Sequence, residues 1–157
     1  MFGTVDKSKE TRSLSRTARR LSVIALFAGL GAGAGLMVAG NITGSLALTL
    51  AAVPAYLLAA IAIGLLFTRT RYWRWGNAPD ADLDEFELQL RNRAYVHAYA
   101  TIATLTFLGW VYWDFATDLG LWLPPSEGGI GAVLMWSYFL FILKLPAALV
   151  AWADTDD

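Results

Sequence analysis

The chain has 157 residues, 57% of them apolar and only 16% charged, with a net charge of −1 and no cysteine. An average soluble domain is about 45–50% apolar and about 25% charged, and a small one this apolar would expose large patches to water. Lipid is therefore the natural solvent. Thiol redox chemistry, disulfides and Cys-ligated metals are excluded.

Residues 1–20 form a basic tail, with Lys7, Lys9, Arg12, Arg16, Arg19 and Arg20 set against Asp6 and Glu10. The tail is expected to lie frayed near anionic headgroups, with a short surface helix over 8–20 as the other reading. From residue 21 to residue 67 there is no charged side chain. The first span is expected at 21–39, close to the ~20 residues a bilayer requires. A signal peptide cleaved near Val38-Ala39-Gly40 competes, but the apolar run exceeds the about 7–15 residues of such a segment. Within it, Gly29 with Gly33 and Gly31 with Gly35 make two small-xxx-small patterns, which let helix backbones approach closely. They serve either this chain's own helices or a second copy in a homo-oligomer.

A short uncharged loop at 41–45 leads to a second span at 46–67, which contains Pro54. Proline removes a backbone donor and is expected to kink the helix there. The polar segment 68–93 follows. Arg69, Arg71 and Arg74 interleave with Tyr72, Trp73 and Trp75. Directly after a span, this pattern is a lipid-headgroup anchor (Arg69, Arg71, Trp73, Arg74, Trp75) rather than a nucleic-acid surface.

The stretch from Asp82 to Phe115 holds no proline and no glycine before Gly109. One continuous helix is expected to start outside the membrane and cross it over 94–115. Asp82 and Glu85 have the D-x-x-E form of a capping box, and Glu87 and Arg91 stand at i,i+4. Leu83, Phe86, Leu90, Ala94, His97, Thr101, Thr104 and Leu108 share one stripe of the helical wheel. That stripe is apolar outside the membrane and polar within it, as expected of a helix whose polar groups face other helices.

Leu83, Asp84, Glu85, Glu87, Arg91, Arg93 and Ala94 make an acidic-then-basic element. It resembles one that precedes the third span of small four-span bacterial membrane proteins of unestablished activity; Phe86 stands where those carry a basic residue. The resemblance implies a four-span fold in a bacterial inner membrane.

The loop at 116–130 carries Asp118 and Glu127 but no basic residue. A fourth span at 131–152 contains Lys144 and Pro146, and an acidic tail at 153–157 ends the sequence. Lysine and arginine fall in the N-terminal tail and in 68–93, and are missing from 40–45 and 116–130. By the positive-inside rule both termini and 68–93 are cytoplasmic.

The expected fold is all-α: an antiparallel bundle of four transmembrane helices with a cytoplasmic amphipathic extension on the third. An intramembrane charge is a functional candidate by default, so Lys144, snorkelling toward the cytoplasm, makes a candidate polar cluster with His97 and Thr101; the other reading is a structural lysine and an interfacial His97 with one hydrogen bond. The motifs for metalloprotease, nucleotide-binding or nucleophilic-serine chemistry are missing. One histidine does not make a bis-histidine haem, and no metal or cofactor is expected. The leading function is therefore non-enzymatic: an interaction or regulatory subunit presenting Asp84, Glu85, Glu87, Arg91 and Arg93 to a protein partner. A small transporter, channel or lipid-binding protein using Lys144 and His97 is the alternative.

Overall fold

The computed structural model describes residues 14–69, 79–125 and 129–153. Among these the chain is all-helical, with four long helices. Helix α1 spans Arg16–Thr43, α2 Leu46–Arg69, α3 Glu85–Leu119 and α4 Ile130–Ala153; a single 3-10 turn at Asp80–Asp82 precedes α3.

The first helix is longer than its apolar run. The Ser15 side chain accepts a hydrogen bond from the Ala18 N–H at 3.3 Å. No glycine or proline intervenes before Leu21, so Arg16, Arg19 and Arg20 form the opening turns of α1 and not a frayed tail. The helix also runs past the expected loop at 41–45 and closes at Gly44, whose φ of 64° is the left-handed cap. Ser45 then caps α2 by accepting from the Leu48 N–H at 3.4 Å. The turn between the helices is thus barely two residues long.

Glycine fixes the α1–α2 contact. A Cβ on Gly29 would lie 2.6 Å from the Ala55 carbonyl oxygen, and one on Gly33 would lie 2.9 Å from the Tyr56 ring. Gly40 meets Thr49 in the same way. The partner number falls as the glycine number rises, so the two helices run antiparallel in close contact.

In the order of contact, α2 packs on α1, α1 on α4, and α4 on α3. Two apolar clusters fill these seams. Leu26 and Leu30 lie with Ala59 and Ala62 at the α1–α2 seam. Val23, Ala94, Ala148, Val150 and Ala151 bring together the start of α1, the start of α3 and the end of α4, with Leu66 of α2 against them.

α1, α2 and α4 are long and apolar enough to cross a membrane; α3, at 35 residues, is long enough but is not among them. Its apolar character is diluted by His97, Thr101, Thr104, Thr106 and a run of Tyr and Trp side chains. α3 also begins two residues later than its sequence pattern implies. The capping box is Asp84 with Glu87, not Asp82 with Glu85. The Asp84 carboxylate accepts from the Glu87 N–H at 2.7 Å, and the Glu87 carboxylate accepts from the Asp84 N–H at 3.3 Å. Leu83 packs against the Val23 cluster, which places Asp84 at the cap and leaves Asp82 in the 3-10 turn.

Candidate functional site

The expected partner surface sits at the start of α3. Asp80, Asp82, Asp84 and Glu85 are exposed, as is Arg93. Arg91 is half-buried and reaches back to form an ion pair with Asp80. That contact ties the 3-10 turn to the second turn of α3 and gives the carboxylates a fixed platform. Of the apolar residues on the expected stripe, Leu83 and Leu90 pack into the Val23 cluster. Phe86 does not: it is 59% exposed. An aromatic ring therefore stands out of an acidic rim.

The polar part of the stripe is turned the other way from the sequence expectation. His97, Thr101 and Thr104 are exposed, and α3 meets α4 through the buried Ala94 and Ala98. Alanines at i,i+4 allow the closest backbone approach, and that packing rotates the polar residues outward. The Thr101 hydroxyl donates to the His97 carbonyl at 2.8 Å, and Thr106 donates to the Ile102 carbonyl at 2.7 Å. Each finds its acceptor on its own helix and needs none on another.

Lys144 belongs to a different face. It lies seven residues beyond Ser137, two helical turns on, and Ser137 faces Tyr56 of α2. The Lys144 ammonium sits 3.8 Å from the centre of the Phe67 ring, also on α2. Phe67 is eleven residues beyond Tyr56, so the ammonium meets α2 nearer its C-terminal end than Ser137 does. The three-residue cluster is not assembled in that form. His97 and Thr101 are joined on the outer side of α3, and Lys144 is turned toward α2.

Polar links between helices are a feature that sequence reasoning missed. The Tyr56 hydroxyl lies 2.9 Å from that of Ser137. Ser137 gives its own proton to the Val133 carbonyl at 2.8 Å, so Tyr56 is the donor across the α2–α4 gap. Gly33 leaves room for its ring. Likewise the hydroxyls of Tyr138 on α4 and Thr106 on α3 are hydrogen-bonded to each other, and both reach the Ile102 carbonyl. The signal was available: a tyrosine in mid-span needs an acceptor.

The four glycines divide into two pairs. Gly29 and Gly33 are buried against α2, while Gly31 and Gly35 are exposed with open space beside them. Of the headgroup anchors, Arg69 is exposed at the end of α2. Arg71, Trp73, Arg74 and Trp75 lie outside the described residues. Among the described residues no three His, Asp or Glu side chains converge on a metal position. Compared with protein families, curated proteins and solved structures, the chain finds no match.

Proposed function

We propose that this chain is a non-enzymatic, membrane-embedded interaction or regulatory subunit that engages a protein partner through α3 and the acidic rim before it. The reading includes a four-span, antiparallel, up-down topology in a bacterial inner membrane, with both termini and the segment 68–93 cytoplasmic. The distribution of lysine and arginine supports that orientation, and the 35-residue length of α3 supports a fourth crossing.

One observation carries the functional reading: beyond its first turns, which also meet α1, α3 packs on α4, and among the described residues most of its surface is uncovered. Phe86 and the carboxylates stand at one end. His97, Thr101 and Thr104 follow, then Tyr99 at 78% exposure and Trp110 at 65%. Polar side chains at membrane depth ordinarily face protein, so this surface is read as the place where another chain docks. The alternative use of Lys144 and His97 as a transport pair gains no support, since the two are directed to different neighbours.

A photo-crosslinking residue placed at Phe86, and another at Tyr99, tests the reading in intact membranes. A third at Leu57, exposed on α2, serves as the reference. Discrete protein adducts from the two α3 positions, and lipid adducts alone from Leu57, are expected. The same adducts from all three would sink the proposal. A second copy is among the partners that the adduct mass would reveal.

A further inference from the structure

We infer that the end of the bundle where α1 begins holds a site for the phosphodiester headgroup of an anionic phospholipid, formed by Arg16 and Arg20 of α1, Arg69 of α2 and Trp152 of α4. The inference shares with the proposed function only the placement of these helices in a bilayer, and does not rest on a partner for α3.

Three helices converge there. The Arg20 guanidinium lies 5.1 Å from the centre of the Trp152 ring. The α1–α2 register set by Gly29 with Ala59 is continued by Val23 and Leu66, which pack in one cluster. Carried one turn further, it brings Arg20 level with Arg69. Arg16 stands one turn outward on the face of Arg20, since i and i+4 share a face. Arg19, only 3% exposed, turns inward and takes no part.

The chemistry asks for an anion. The Arg20 Nε is buried and has no hydrogen-bond acceptor among the described residues, and a buried donor without an acceptor is costly. The first turn of α1 has no acidic residue, so Arg16 stands at the positive end of the helix dipole with no first-turn carboxylate beside it. Guanidinium matches phosphate oxygens in paired hydrogen bonds. The level is that of headgroups: the uncharged run begins at Leu21, directly after Arg20, and Trp152 is the kind of ring that marks the interface. Basic pockets between transmembrane helices recognise anionic headgroups in this way. Arg16, Arg69 and Trp152 are all exposed, so the site opens toward the surrounding lipid.

The experiment is native mass spectrometry of the full chain in a neutral detergent, titrated separately with phosphatidylglycerol, phosphatidylcholine and inorganic phosphate. Phosphatidylglycerol should be retained in preference to phosphatidylcholine. R69Q and R20Q should each lower that preference about five-fold, and together more. R20K keeps the charge but loses Nε and should fall between. If R20Q does not fold, R69Q at an exposed helix end still decides. Equal retention of the two lipids by the unsubstituted chain would overturn the proposal, as would an R69Q preference equal to the unsubstituted one. Displacement of the lipid by inorganic phosphate would reduce the site to a simple anion site and also overturn it. The chain's own tail is the competing occupant: retention that appears only after Asp154, Asp156 and Asp157 are changed to asparagine would assign the cations to those carboxylates instead.

Discussion

At the scale of single residues, the glycines show how identity and direction separate. The spacing of Gly29, Gly31, Gly33 and Gly35 shows two faces capable of close packing, and nothing local says which one is used. The neighbour decides: Ala55 and Ala59 lie against Gly29, and the Gly31 face is open. A methyl group on Gly29 would press into backbone, which does not yield as a side chain does. Gly29→Ala should therefore destabilise the chain by about 1–3 kcal/mol. Gly31→Ala should be neutral or gain up to about 1 kcal/mol from helix propensity. Unfolding in mixed detergent micelles measures both, and equal losses would show that the face has been assigned wrongly. Tyr56 makes a comparable case. Tyr56→Phe removes the donor that reaches Ser137 and should cost about 0.6–2 kcal/mol. Ser137→Ala should add little once Tyr56 is gone, because the two hydroxyls form one interaction. Additive losses would mean that the bond contributes nothing measurable.

At the scale of elements, the helices Leu46–Arg69 and Ile130–Ala153 were legible to within two residues at each end, because a long apolar run in lipid has no alternative to a helix. Helix ends were less so. Asp82 and Asp84 both offer a D-x-x-E or D-x-x-E-like start, and burial of Leu83 against α1 and α4 selects the second. Asp84→Ala should therefore cost about 1 kcal/mol at the first turn of α3, whereas Asp82→Ala should cost little. Faster amide exchange over residues 85–90 in the first variant alone is the expected readout, and matching behaviour of the two would place the cap elsewhere. The direction of the polar stripe was not legible at all. A helical wheel states that His97, Thr101 and Thr104 share a side. Which way that side points depends on α4 choosing Ala94 and Ala98 as its contact, a long-range decision no local pattern records.

At the scale of the whole molecule, the question is whether α3 crosses the bilayer beside the three more apolar helices. Its packing requires that it run alongside them: Ala94 lies in the cluster at the start of α1, and Tyr138 in mid-α4 reaches Thr106 in mid-α3. A helix of 35 residues is about 52 Å long, more than enough to cross a hydrocarbon core of about 30 Å. With those contacts kept in a bilayer, the four-span reading has Leu119 on the side opposite Asp84. The chain contains no cysteine, so single cysteines can be introduced without background. Cysteine at Ser45, in the α1–α2 turn, and at Leu121, after α3, should react with a membrane-impermeant maleimide in intact cells. Cysteine at Ser15 or Asp84 should react only once the membrane is opened. If Leu121 instead follows Asp84, α3 lies along one surface, α4 crosses in the opposite sense, and the two ends of the chain fall on opposite sides. The acidic rim and Phe86 would then remain available to a partner, but His97, Thr101 and Thr104 would face headgroups and water. Their outward direction would need no protein to explain it. The labelling pattern at position 121 therefore decides how much of α3 belongs to the partner surface as well as how many times the chain crosses.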